Sequence, residues 1–350
     1  MHIPPDPRRI LVIRRDNIGD LVCTTPVFAA LRRRFPAAHI ALLTNTYAAP
    51  VVHRNPDLDA VHVYAKAPHL PVRERGSAYW RRLKTIAALR RARFDCVVLA
   101  AAGYYRRGIR FARWLKAPVI GFAGDAGESA GLDCAVTRPT GRLHEVEDVF
   151  GLLRPLGIEH NAIPDLTVVA DPAAVAQARA FLGAKARRPV VAVHISARHP
   201  TNRWTAAGYV ALIRGLLARG FVVTLLWSPG AADCRAHPGD DTLAAAICDQ
   251  VDHADLLAYP THGLEKLIGM LALCEAAVLS DGGAMHIAAA LGKPVVCFFG
   301  DSDIDRWHPW RAPHIVLQKP SRRVADILPE EALSAFETLM EKAQGSCHRE

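Results

Sequence analysis

The chain reads as an α/β protein with two parallel sheets in tandem, and three observations carry that reading. Short apolar runs of strand length alternate with helical segments from Ile10 to Phe122, the spacing of βαβ units. The alternation breaks at 157–171, a linker with Pro164 and Pro172 near its end, and then restarts. The stretch Ala276 to Gly300 is one βαβ unit in itself. It holds the apolar run 276–279, the turn Ser280-Asp281-Gly282-Gly283, a small-residue helix over 284–291, the stop Gly292-Lys293-Pro294 and a second apolar run to Phe299.

In chain order, Ile10 to Ile13 is a short buried strand that runs into Arg14-Arg15-Asp16-Asn17-Ile18-Gly19-Asp20. The spacing of Leu21, Val22, Val27, Phe28 and Leu31 predicts a helix over 21–34. Pro26 lies in its first two turns, where proline costs least, and Phe35-Pro36 ends it. Strands are expected at 39–43 and 60–64, with a short helix at 47–54 between them. An Arg-rich amphipathic helix covers 79–93, then a strand 94–101, a helix 106–115, a strand 118–122 and a helix 144–156 closed by Gly157. In the second half, strands fall at 190–194 and 221–227 and helices at 205–218, 241–248 and 263–273. The 276–300 unit and a final helix over 329–343 follow. The domains are therefore 1–165 and 166–350, with the last helix able to pack back on the first. Sheets of this kind bind ligands beyond the carboxyl ends of their strands, and two in tandem place a cleft there.

Bulk properties narrow the class. At 350 residues two domains are expected, and 51% apolar residues suffice for two cores. No apolar run reaches the roughly 18 residues of a membrane span, and Met1 to Pro7 lacks the apolar core of a signal peptide. Eight cysteines without a CxxC pair read as reduced core residues of a cytoplasmic protein, with no zinc site. Residues 1–160 hold 25 Lys and Arg against 14 Asp and Glu, whereas residues 161–350 hold 18 against 20. That asymmetry fits either an anionic partner for the first half or an Arg-rich solvated surface. No nucleic-acid recognition motif accompanies it, so nucleic acid is not expected.

The chemistry concentrates in three loops. Asp20 lies just past the first strand, at the mouth of the first sheet. A carboxylate at a helix N-terminus stays ionised and accepts a proton from an attacking hydroxyl, or it simply caps the helix. Asp16 and Asn17 share the loop as weaker candidates, and Arg14 and Arg15 either meet an anionic substrate or are solvated. In the second half, Ser196 and Arg198 follow a strand, and Asn202 and Arg203 come shortly before the next helix. Hydroxyl, amide and guanidinium groups of this kind hold phosphate. In the turn after Ser280, Gly282 and Gly283 let the backbone approach a ligand, and the helix N-terminus behind them favours an anion. His286, in that helix's first turn, either points at the same anion or faces the core. Asp301-Ser302-Asp303 has the spelling of a metal-binding DxD, though two carboxylates in a turn are more often solvated. No GxGxxG follows either first strand, and GxxxxGK[ST] and GxSxG do not occur. Dehydrogenase, P-loop kinase and serine hydrolase readings are unsupported.

Two of these stretches together resemble glycosyltransferase family 9, which contains the ADP-heptose:lipopolysaccharide heptosyltransferases. Asp16-Asn17-Ile18-Gly19-Asp20-Leu21-Val22-Cys23-Thr24-Thr25-Pro26 resembles the family's N-terminal GD…TP signature. Ser280 to Gly300 resembles its D-[ST]-G-x-x-H-x-A-x-x-L-G-x-P motif with the strand and FG that follow. Order and spacing agree over roughly residues 10–310. The resemblance implies a GT-B fold, two Rossmann-like domains with parallel sheets facing a central cleft. The first would bind the acceptor and the second the nucleotide-sugar. It implies inverting, metal-independent transfer of heptose from ADP-heptose to a lipopolysaccharide inner-core acceptor, with no cofactor. Asp20 then matches the general base, Asp281, Gly283 and His286 the donor-diphosphate motif, and Ser196 a hydroxyl near the donor phosphates. Arg14, Arg15 and Asn17 fall on the acceptor side, and the expected partner is an anionic saccharide or lipid-linked acceptor at the inner membrane surface. The chain departs from the family pattern at Gly282, where Ser or Thr is usual, and at Asn202, where the K-x-W motif has lysine. Arg198 or Arg203 would then bring the cation, although arginine and lysine place charge differently. Both departures lie on the donor side. They leave room for a different nucleotide-sugar, a non-lipopolysaccharide acceptor, or a catalytically weak nucleotide-sugar-binding protein.

Overall fold

The structure is a computed structural model and describes residues 2–64, 75–139, 141–231 and 239–347. The chain divides into two compact units, one ending at Val168 and the other beginning at Val169.

The first unit runs β1 (Arg9–Ile13), α1 (Ile18–Arg34), β2 (His39–Asn45), β3 (Ala60–Tyr64), α2 (Arg75–Arg91), β4 (Cys96–Leu99), α3 (Arg106–Arg113), β5 (Val119–Phe122), β6 (Cys134–Val136) and α4 (Glu145–Phe150). The strands form one parallel sheet in the order β3-β2-β1-β4-β5-β6. Ile10 to Ile13 and Cys96 to Leu99 are buried without a break, as a sheet covered on both faces requires. Leu89 of α2 and Ile109 and Ala112 of α3 pack on one face over Leu11, Ile13, Val97 and Leu99.

The second unit repeats the plan. It runs α5 (Pro172–Leu182), β7 (Val190–His194), α6 (Ala206–Ala218), β8 (Val222–Trp227), α7 (Asp241–Val251), β9 (Leu256–Pro260), α8 (Leu264–Leu273), β10 (Ala276–Ser280), α9 (Gly283–Ala290), β11 (Val295–Phe299), α10 (Ile304–Trp307), β12 (His314–Gln318) and α11 (Pro329–Cys347). Its sheet order is β12-β11-β10-β7-β8-β9, again all parallel. Ala332, Ala335, Phe336 and Leu339 of α11 join the core of this unit. Trp204 anchors the approach to α6: it stacks edge-on to Tyr209 and Phe298, and its indole N–H donates to the Ile327 carbonyl at 2.9 Å.

Each sheet has one place where the chain order reverses, between β1 and β4 in the first unit and between β7 and β10 in the second. At such a switch point the neighbouring connections leave toward opposite sides and open a crevice beyond the strand ends. The Arg14–Asp20 loop follows β1. The Ser196–Arg203 and Ser280–Gly283 segments follow β7 and β10. All three stretches singled out from sequence therefore lie at switch points.

The elements differ from expectation in informative places. Helix α1 begins at Ile18, three residues early, because the Asn17 N–H donates to the Asp20 carboxylate at 2.9 Å and starts the helix there. The helix expected over 144–156 is α4 followed by a 3₁₀ turn over Gly151–Leu156 that contains Pro155, which lacks the N–H an α-helix needs. Gly157 closes it with φ +70°, as expected. Strands β6, β9 and β12 were not expected. β6 has only three residues, and β9 and β12 are half-buried edge strands. Helix α5 was also missed, although Asp171 caps it and Pro172 opens it, an N-terminal signal legible in sequence.

Candidate active site

In the first unit the site is organised by one buried cation. The guanidinium of Arg14, at the end of β1, has a side-chain exposure of 0%. Its Nη2 donates to Asp20 Oδ1 and to Glu145 Oε1, both at 2.7 Å, and its Nε lies 3.2 Å from Asp16 Oδ2. Burial alone would lower its pKa, but the charges of Glu145, Asp20 and Asp16 outweigh that and raise it above the ordinary arginine range. Glu145 opens α4, which packs against α1, and its side chain is 2% exposed. His144 fixes that helix start: its ring Nδ1 accepts from the Val146 N–H at 3.1 Å, and its own N–H donates to Glu147. Asn45 holds the loop from the other side. Its Nδ2 donates to the Asp16 carbonyl at 2.9 Å, and its Oδ1 accepts from the Ala48 N–H.

Asp20 is the one carboxylate of this set that is both tightly oriented and reachable, with 12% side-chain exposure. Oδ1 accepts from Arg14 and Oδ2 from the Asn17 N–H. A carboxylate has about four lone-pair sites, so two engaged oxygens still have room for an incoming hydroxyl.

In the second unit the turn after β10 is built on Gly282, whose φ of +155° and ψ of −173° suit only glycine. A serine or threonine there would be strained, so the absence of the usual hydroxyl follows from the turn itself. Asp281 is held by groups from two other loops. Ser302 donates to its Oδ2 at 2.5 Å, and Asn202 Nδ2 lies 3.3 Å from both its carboxylate and its carbonyl oxygen. Asn202 Oδ1 accepts from the Gly300 N–H at 2.9 Å, which binds a third strand end into the same cluster. Ser196 Oγ accepts from the Ser228 N–H at 2.8 Å, and Arg203 Nε donates to the Ala197 carbonyl. Arg198 is exposed and Gly283 opens α9. His286 is buried in the first turn of α9 with its ring edge-on to Trp307 at 5.9 Å. His194, at the end of β7, is buried, and burial pushes its pKa down to about 4.

Some expected contributors take other roles. Arg14, expected on the acceptor side, is buried with its Nη2 taken up by Asp20 and Glu145. Arg15 lies with its guanidinium 4.2 Å over the Tyr64 ring, whereas Asn17 is exposed in the loop. Asp301 and Asp303 do not converge as a DxD pair: Asp301 accepts from the Thr201 hydroxyl at 2.7 Å, and Asp303 caps α10 through the Asp305 N–H. Among the described residues no cluster of three or more His, Cys, Asp or Glu is arranged to hold a metal ion. Sequence reading missed Glu145, Asn45, Ser302 and Trp307. An acid opening a helix after His144 was a signal for the first; the others sit where only the packed loops bring them together.

An oriented carboxylate at the switch point of one unit, and a glycine turn before a helix N-terminus at that of the other, are each the kind of group that a group-transfer enzyme uses. Comparison with known proteins narrows that class. The model of glycosyltransferase family 9 (heptosyltransferase) matches residues 82–331, and the chain belongs to this family. It is a glycosyltransferase. Lipopolysaccharide heptosyltransferase 2 of Escherichia coli (strain K12) is 26% identical over 308 residues, covering 85% of this chain and 84% of that protein. A family 9 glycosyltransferase of Veillonella parvula superposes with a TM-score of 0.79 at 19% identity, covering 96% and 97% of the two chains. The E. coli ADP-heptose heptosyltransferase II superposes with a TM-score of 0.76 at 20% identity, covering 96% and 99%. The two parallel-sheet units are thus those of the GT-B fold.

Proposed function

We propose that the protein is an inverting, metal-independent transferase that moves heptose from ADP-heptose to a lipopolysaccharide inner-core acceptor. The observation that carries this reading is the Asp20 carboxylate, oriented by Arg14 and the Asn17 N–H at the mouth of the first sheet. In the reaction, the acceptor oxygen attacks the anomeric carbon and the carbon–oxygen bond to the β-phosphate breaks. Both electrons of that bond leave with ADP, and the hydroxyl proton passes to Asp20. The charge on the departing diphosphate would meet the N-terminus of α9, the glycine turn and the basic side chains of Arg198 and Arg203. The names of the E. coli relatives support heptose and ADP-heptose as the transferred group and donor.

Among the described residues no helix is long and apolar enough to cross a membrane. The reading places the enzyme in the cytoplasm, peripherally on the inner membrane face where a lipid-linked acceptor would be presented. Helices α2 and α3 contain no Asp or Glu, and Trp80 and Trp114 are 67% and 60% exposed. Basic surface with exposed tryptophan suits an anionic lipid interface.

Gly282 and Asn202 favour a second reading, in which the same machinery takes another nucleotide-sugar or a non-lipopolysaccharide acceptor. A thermal-shift panel of ADP-, UDP-, GDP- and dTDP-sugars tests the donor. A ligand at 100 times its Kd stabilises the native state by about 2.7 kcal/mol, and an ADP-sugar should do so alone. A shift with another nucleotide and none with the ADP-sugar would select the second reading. Transfer measured with and without EDTA should be equal. A donor-induced shift without any transfer would indicate a binding protein.

A further inference from the structure

The surroundings of Asp20 hold more than a cap and a counter-ion. A single arginine nitrogen, Nη2 of Arg14, is shared between Asp20 and Glu145 at equal distances of 2.7 Å. We infer that Glu145, acting through Arg14, is a positioning residue that holds Asp20 in line and keeps its carboxylate able to take the acceptor's proton. This rests on the assignment of Asp20 as the base. A buried guanidinium paired with Asp20 alone would strongly favour the ionised carboxylate and make it a poor proton acceptor. Glu145 competes for the same cation from a site closed to water, where its charge is little screened. Glu145 thus draws on the same donor nitrogen while the hydrogen bond that orients Asp20 is kept.

Among the described residues, the charged groups around the pair are few. Arg14 comes from the end of β1, and Asp16, 37% exposed, comes from the loop. From α4 come Glu145 and, behind it, Asp148 with its partner Arg138, whose pKa is raised chiefly by its hydrogen bond to Asp148 and further by Glu145. Arg15 is turned onto Tyr64. The end of β2 contributes the neutral Asn45, and the 3₁₀ turn Ala49–Val52 carries no charge. Three carboxylates thus face one fully buried arginine, more negative charge than a purely structural ion pair calls for.

The test is the pH profile of kcat for the full-length enzyme and its variants Glu145→Gln, Glu145→Asp, Asp16→Asn and Asp20→Asn. Glutamine retains an oxygen for Arg14, so the orientation survives and only the charge is lost. Glu145→Gln should lower plateau kcat about tenfold, short of the roughly 10²–10⁴-fold for loss of a base. Its acid limb should move down by about one pH unit, with donor KM unchanged. Glu145→Asp should keep the wild-type limb. Asp16→Asn should move the limb the same way by less, because that carboxylate is partly solvated. If Glu145→Gln keeps both limb and plateau while Asp20→Asn is inactive, Glu145 is merely structural and the inference is overturned with the base intact. An active Asp20→Asn overturns the base itself. Should Glu145→Gln lack a native circular-dichroism spectrum, Asp16→Asn decides: an unmoved limb overturns the inference, and a downward shift supports it.

Discussion

Replacing Asp20 with asparagine separates catalysis from helix capping. Asparagine keeps the size of the side chain and one acceptor oxygen, but its amide takes no proton. If Asp20 is the base, kcat falls about 10²–10⁴-fold, equivalent to about 2.7–5.5 kcal/mol of transition-state stabilisation. The structural cost is smaller. Arg14 keeps Glu145 at 2.7 Å and Asp16 at 3.2 Å, so its charge is not stranded. One of the two bonds at Oδ1 and Oδ2 survives, and the other meets an amide nitrogen. Losing a charge-assisted bond of this kind costs about 1–3 kcal/mol. Donor affinity should be unchanged if, as proposed, the donor is held by the second unit. The assay is kcat and donor Kd by calorimetry on the same preparation, with Tm recorded. Activity within a few-fold of wild type, at native Tm, would refute the assignment, and Asp16 would be the next residue to test.

Two further outcomes are expected. Gly282→Ser restores the hydroxyl usual in the family, but at φ +155° it should destabilise by about 1–3 kcal/mol in urea unfolding and bring no gain in donor affinity; tighter donor binding at unchanged stability would contradict this account of the turn. His194 titrates near 4 in the native state because it is buried, against about 6.5 unfolded, so the unfolded chain binds the extra proton between those values. The stability it contributes is present above about pH 6.5 and is lost as pH falls toward 4, by about 3 kcal/mol. Urea unfolding at several pH values should show that slope in wild type and a shallower one in His194→Leu; equal slopes would remove His194 as the cause.

Much of the fold was legible because parallel sheets bury their strands on both faces. Ile10 to Ile13, Val190 to His194 and Val295 to Phe299 are apolar runs that only a covered sheet needs, and each became a strand. The edges were not legible. β6 and β12 have apolar runs of only three residues, and β9, with Leu256 to Tyr259, is a half-buried edge strand. The candidate site was legible as a set of loops where a backbone requirement leaves a residue signature, as in Gly282-Gly283 and Gly19-Asp20. It was hidden where side chains distant in sequence converge. Glu145 is 131 positions from Arg14, and nothing local to either announces the pair. The burial of Arg14 against Asp20, Glu145 and Asp16 is likewise invisible in the sequence around it.

The two departures from the family pattern explain each other structurally. A lysine in place of Asn202 could donate to Asp281, but it has no acceptor for the Gly300 N–H that Asn202 Oδ1 now holds. Gly300 in turn has no room for a side chain, since a Cβ there would fall 2.4 Å from that same oxygen. Asn202 therefore exchanges a cation for an amide that ties the ends of β10 and β11 together. Ser302 completes the hold on Asp281 with the hydroxyl that Gly282 lacks. The result is an internally bonded turn that keeps the negative charge of Asp281 where the family pattern adds a lysine. A diphosphate bound here would meet its positive charge at the rim, from Arg198 and Arg203, and its backbone N–H donors at the start of α9. Rim charges are screened by salt and buried ones are not, so donor binding by this turn should weaken with ionic strength more steeply than binding by a turn that keeps the buried lysine.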